Sequence, residues 1–212
     1  MKRVLLLVMI VISIIGCSFT KSTQTGINAL SNQAFAHIGL RTNTKSYNVS
    51  VLDLEINSAK DKIRSINNPI TQSNEQAKEW INPDTKGILI KVNHEVKFYP
   101  LFLLKKHQTI NDKIHKFAYC LTYNPETSLI QVFDRNIKNK ILTFGNSGVS
   151  WNNGRLIYDT NTESLWDTWT GESIVGDNTG KELNPIYFEQ KTFTEVVESF
   201  EVFAVMAQTE SF

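Results

Sequence analysis

Few residues in this chain are of a type that does chemistry, and their spacing narrows what they can do. Cys120, in "KFAYCLTY", is a nucleophile or ligand if a base or cation lowers its pKa. On a strand between aromatic neighbours it is instead a small buried hydrophobe. His107 and His115 are the candidate bases, and His107 opens the pattern His-x-x-x-Asn111-Asp112. Its other reading is a loop histidine bonding backbone around Asn111 and Asp112. Asp134-Arg135 is either a bidentate pair with a remote partner or a solvated strand end. Tyr158-Asp159 and Ser164-Leu165-Trp166 flank the turn "TNTE", which brings Asp159, Glu163, Ser164 and Glu172 into one locality. Carboxylates beside a tryptophan bind sugars or do acid–base work, whereas Asp159 alone is also a turn cap.

Other chemistries find little footing. The sequence has no His-x-x-x-His, Cys-x-x-Cys or Asp-x-Asp spacing, so no metal and no other cofactor is predicted. A metal site assembled from separate strands stays open. "FGNSGVSWNNG", 144–154, is glycine-rich without the strand-then-helix setting of a phosphate loop, and reads as tight turns with positive φ at Gly145, Gly148 and Gly154. Ser147 lacks the hydrolase elbow spacing. The net charge is +1 with basic and acidic residues interspersed, which excludes nucleic acid as an expected partner.

The N-terminus carries a different signal. Met1-Lys2-Arg3 is basic, and Val4 to Ile15 is apolar except for Ser13. That run is too short to span a bilayer but suits a secretory signal. Ile14-Ile15-Gly16-Cys17 then resembles the lipobox of bacterial lipoproteins, in which Gly16 fits the signal peptidase and the Cys17 thiol is acylated. Acylation of Cys17 leaves Cys120 as the only free thiol, so an intramolecular disulfide is excluded. The expectation is a protein of the bacterial cell envelope, held on a membrane by its N-terminal lipid. Ser18 points to an outer membrane facing the periplasm in a double-membraned host.

These residues must be held by a folded scaffold, and 212 residues at 41% hydrophobic and 20% charged are enough for one. The division expected is 1–16 signal peptide, 17–50 lipidated tether and loosely ordered arm, and 51–212 a single globular domain. "NEQAKEW" reads as a short helix capped by Ser73 or Asn74 and stopped at Asn82-Pro83. "GILIKVN" and "EVKFYPLFLL" read as a hairpin about Asn93-His94. "KFAYCLTY", "SLIQVFD", "KILTFG", "GRLIYDT" and "ESLWDTW" continue as strands. Thr192-x-x-Glu195 is a capping box before "VVESFEVFAVMAQ", which fits helix or strand. The fold class is mainly β, a β-rich α+β domain with an antiparallel, barrel-like meander and short flanking helices.

The order of these pieces resembles a bacterial family known only as domain of unknown function 3179. "KDKIRSINNP" (60–69), "VKFYPLFLLKKHQTIND" (96–112), "AYC" (118–120), "VFDR" (132–135) and "LTFGNSGVSWNNGRLIYDTNTESLWDTWTGESIVG" (142–176) carry the resemblance, over roughly 60–185. The resemblance favours His107 as the base and implies no reaction, because the family has no assigned activity. It also exposes a departure. The family's Tyr-Cys-Pro-x-Cys is here Tyr119-Cys120-Leu121-Thr122-Tyr123, without the second cysteine. The family's C-terminal Trp and His-Pro elements are replaced by "FTEVVESFEVF". The expected function is therefore a lipid-anchored binding or structural module whose small-molecule or protein partner is unknown. Its rivals are a thiol-, histidine- or metal-dependent enzyme and a small-ligand or glycan receptor.

Overall fold

The computed structural model describes residue 26 and residues 29–207, so the apolar N-terminal run and Cys17 lie outside the described residues. The chain is mainly β, with 41% strand and 17% helix. Its sheets do not close into the barrel-like form expected; three of them stack face to face.

The middle sheet holds strands Ile66–Asn67, Thr109–Ile114, Phe117–Tyr123 and Ile130–Asp134 in that order. Both its faces are buried, so its strands read as near-continuous burial rather than alternation. One face, with Ile110, Tyr119, Leu121 and Val132, packs on Ile88, Ile90 and Tyr99 of the third sheet. The other, with Cys120 and Phe133, packs on Phe144, Ile157 and Trp166 of the first sheet. Phe117, Tyr119, Leu121 and Tyr123 share the face toward the third sheet, and burial on both sides also encloses Ala118, Cys120 and Thr122 between them.

The first sheet runs Glu55–Ile56, Phe144–Trp151, Gly154–Asp159, Leu165–Asp167 and Ser173–Val175, all antiparallel. Its outer face is covered by the segment expected to be a loose arm. That segment is helical over 29–37 and puts Phe35 and Leu40 into a core with Val149, Leu156 and Leu165.

The third sheet runs Glu189–Thr192, Lys86–Val92, Glu95–Pro100, Ala204–Met206 and Thr71–Ser73. Its outer face meets helices Asn74–Ala77 and Phe193–Ser199. Both helices begin with a full capping box, Ser73 with Gln76 and Thr192 with Glu195. The ambiguous C-terminal segment is both things in turn, helix to Ser199 and strand from Ala204.

Two local expectations change. "EVKFYPLFLL" is a strand only to Pro100; helix Leu101–His107 follows and ends on Gln108 in the left-handed conformation, φ 61°. "FGNSGVSW" is a strand rather than a string of turns. Among its glycines only Gly148 has positive φ; the turn that follows is made by Asn152 and Asn153, both left-handed. Gly145 is small for another reason: a Cβ there would lie 2.5 Å from the Tyr158 ring.

Candidate functional site

Strand Phe144–Trp151 is interrupted by a bulge. Asn146 pairs with Ile157 and Ser150 with Arg155, so residues 147–149 have too few partners across the ladder. The local polar groups are satisfied from within. The Ser147 hydroxyl donates to Leu156 O at 2.5 Å and accepts from Val149 N at 3.0 Å. Gly148 carries the positive φ, and its carbonyl accepts from Asn57 N and Ser58 N. A Cβ on Gly148 would collide with the Ser58 carbonyl.

The bulge, segment 57–63, Gln108 and loop residues Pro125 and Glu126 line a cavity of about 200 Å³ that is partly open to solvent. Asn146, Arg155 and Gln108 are among its polar lining residues, with Asn57, Ser58, Lys62 and Glu126. Asn146 is buried and fully engaged: its amide donates to Ile63 O and His107 O, and its oxygen accepts from Thr109 Oγ1 at 2.7 Å. Arg155 reaches in from the neighbouring strand and donates Nη2 to Asn146 Oδ1 at 3.3 Å. Burial lowers the Arg155 pKa, and the nearby Glu126 charge opposes that shift. No carboxylate among the described residues lies within ion-pair distance of Arg155. Gln108 is the third. It is 8% exposed, and its amide oxygen is buried without a hydrogen-bond partner. An unmet buried acceptor costs on the order of 1–3 kcal/mol. A left-handed non-glycine backbone adds about 1–3 kcal/mol at the same residue.

The sequence profile of the family described as protein of unknown function (DUF3179) matches residues 60–212. The chain belongs to this family. Comparison with curated proteins gives no match, and comparison with solved structures gives none. Every residue of the cavity from Lys62 to Arg155 lies inside the family region, whereas Asn57, Ser58 and Ala59 precede it. Tyr123, standing where the resemblance puts the second cysteine, is 8% exposed and fills the core on the third-sheet side, away from Cys120.

The residues singled out from sequence fall into separate groups. Asp112, Cys120 and Arg135 adjoin. Asp112 accepts from Tyr99 OH at 2.6 Å, Lys97 Nζ at 3.0 Å and Lys113 N at 2.7 Å. Tyr99 OH is 2.5 Å from Tyr119 OH, and burial raises both phenol pKa values. Arg135 donates to the carbonyls of Leu142 and Asp112. Cys120 is fully buried, its thiol directed at Leu121 O at 3.7 Å, and burial pushes its pKa up to about 12 against the lowering effect of Arg135. Asn111 clamps the peptide of Phe144, donating to its carbonyl and accepting from its N–H, and so ties the middle sheet to the first. His107 ends a helix, with Nδ1 3.1 Å from Arg64 O; neither it nor Cys120 bonds the other. Asp134 caps its own turn through Asn136 N.

Asp159, Ser164 and Trp166 form a second group. Asp159 is fully buried and accepts from Thr162 N, Thr162 Oγ1, Trp166 Nε1 and Asn178 Nδ2. Ser164 Oγ accepts from Asn178 N. Trp166 has no exposed face on which a sugar ring could stack. Glu172 stands apart and accepts from Asn48. Sequence reasoning missed Gln108, Asn146 and Arg155. The signals were present as Gly148, which only a bulge or turn requires, and as an arginine beside it on the next strand.

Proposed function

We propose that this protein is a lipid-anchored envelope module that binds a small polar ligand in the cavity between Gln108, Asn146 and Arg155. The observation that carries the binding role is a preformed cavity lined by Arg155, whose guanidinium donates to Asn146 and has no ion-pair partner among the described residues. Arg135 is spent on backbone carbonyls, whereas Arg155 lines the cavity, and a bound anion would supply the partner that its guanidinium lacks. A thiol enzyme gains no support, because a thiol with a pKa near 12 is protonated at neutral pH and therefore a poor nucleophile. Support for the anchor is the basic start, the apolar run and the "IIGC" stretch ending at Cys17.

Each half has its own test. Titrating isotope-labelled protein with a library of small metabolites should shift the side-chain amide signals of Gln108 and Asn146 before those of distant residues. A blank across neutral and charged members would end the binding reading. For the anchor, clickable fatty acid should label the wild type and not Cys17→Ala; equal labelling would remove the anchor.

A further inference from the structure

We infer that the protein carries a second binding site, separate from the Arg155 cavity, and that its ligand is a phosphate monoester. The site is a pocket, partly open to solvent, beside the hairpin of strands Asn136–Ile137 and Lys140–Ile141. Lys138 and Asn139 make the two-residue turn of that hairpin, both left-handed, which fixes its course. Lys138, Lys140 and Lys181 line the pocket together with Asn161, Thr162 and Asn178, and no aspartate or glutamate lines it. None of the three lysines has an ion-pair partner among the described residues.

The polar wall is held from behind by Asp159. This fully buried carboxylate accepts from Asn161 N at 3.2 Å, Thr162 Oγ1 at 2.8 Å and Asn178 Nδ2 at 3.0 Å. Asn178 is 7% exposed and accepts from Lys181 Nζ on its amide oxygen at 2.6 Å. A chain of bonds thus runs from a buried carboxylate to a half-buried lysine, and one of the three cations is in place before a ligand arrives. Three lysines set against that one carboxylate leave two positive charges in excess. A carboxylate ligand brings a single negative charge, whereas a phosphate monoester brings about −1.5 to −2 at pH 7 and three acceptor oxygens. Ammonium groups are compact point charges rather than planar forks, so they suit phosphate oxygens without demanding the flat geometry of a carboxylate.

The same phosphate chemistry comes from two sources, a soluble ester and a lipid headgroup. Ile141 separates them. It lines the pocket next to Lys140 and is 56% exposed, so acyl carbons attached to the phosphate would have an apolar side chain to lie on.

The test is a titration of intact, isotope-labelled protein with glycerol phosphate, glycerate and the water-soluble lipid dibutyryl phosphatidate. Glycerol phosphate should shift the side-chain amide signals of Asn161 and Asn178, and glycerate should bind roughly tenfold more weakly. Lys138→Gln combined with Lys140→Gln changes two exposed residues, so the melting midpoint should stay while phosphate binding weakens roughly tenfold. Arg155→Lys should leave it unchanged. Dibutyryl phosphatidate binding roughly tenfold more tightly than glycerol phosphate, with the gain lost in Ile141→Ser, assigns the ligand to a lipid headgroup. Equal binding of the two assigns it to a soluble ester. Shifts confined to Asn146, or weakened by Arg155→Lys and untouched by the paired lysine variant, overturn the inference. Glycerate binding as tightly as glycerol phosphate overturns it too, as does silence from all three compounds.

Discussion

At the scale of single residues, Cys120 decides between two kinds of protein. Its thiol is fully buried, and its pKa is pushed from 9.0 up to about 12. In a chain carrying Cys17→Ser it should react with alkylating reagents far more slowly than a free thiol at pH 7; rapid labelling would restore the enzyme reading. Burial of this kind also ties stability to pH. Between about 9 and about 12 the unfolded chain has lost the thiol proton while the folded chain keeps it. The Cys120 contribution is therefore full below pH 9 and falls by about 1.4 kcal/mol per pH unit through that window. Urea melts of wild type and Cys120→Ala should converge as pH rises from 9 to 11, and parallel curves would contradict the burial. Cys120→Ser should cost on the order of 1–3 kcal/mol at neutral pH, because the hydroxyl enters a site lined by Phe133, Phe144 and Ile157. Chemical denaturation checks that value.

At the scale of elements, the bulge in Phe144–Trp151 is what turns a flat strand into a cavity wall. Gly148→Ala would force a left-handed alanine and a clash with backbone at Ser58, with no flexible side chain to yield. It should destabilise by about 2 kcal/mol or more and abolish ligand-induced shifts at Asn146. An unchanged denaturation midpoint would show that the bulge tolerates a side chain and is not the rigid wall described. The capping box at Thr192 was legible in the sequence, and the first helix's cap was narrowed to Ser73 or Asn74, because local hydrogen bonds between near neighbours need no distant partner. The expected meander was legible only as separate strands, which divide among the sheets: Phe117–Tyr123 and Ile130–Asp134 lie in the middle sheet, and Gly154–Asp159 and Leu165–Asp167 in the first. Strand Thr109–Ile114 was not, because a strand buried on both faces shows no alternation, and "TIND" puts polar residues inside it. Those residues are spent on other sheets: Thr109 and Asn111 bond across to Asn146 and Phe144, and Asp112 to Tyr99. The cavity was hidden for the same reason. Gln108, Asn146 and Arg155 come from three elements and meet only after the middle and first sheets stack.

For the molecule as a whole, the family region and the folded unit differ in extent. The family profile begins at residue 60, yet Phe35, Leu40 and Val51 cover the outer face of the first sheet. Losing such side chains costs roughly 2–5 kcal/mol each, which together rivals the ~5–15 kcal/mol stability of a typical domain. A chain trimmed to 60–212 should therefore melt without cooperativity or precipitate, while one beginning at residue 29 melts sharply. Thermal melts followed by circular dichroism compare the two, and coincident midpoints would make the N-terminal cover dispensable. The same trimming removes Asn57 and Ser58 from the cavity wall, so a trimmed chain that did fold should still lose its ligand.

The place of strand Ala204–Met206 governs when the molecule can be finished. It lies between Glu95–Pro100, which it pairs in parallel, and Thr71–Ser73, which it pairs in the opposite sense. Among the described strands it is the last to leave a ribosome, roughly a hundred residues after the edge that waits for it. At about 5–20 residues per second, that edge stays open for ~5–20 s. Through that interval the nascent chain cannot lock, and its unpaired edge is a place for a chaperone to hold. Delayed closure suits the export proposed above, since a translocation channel accepts a thread and refuses a finished domain.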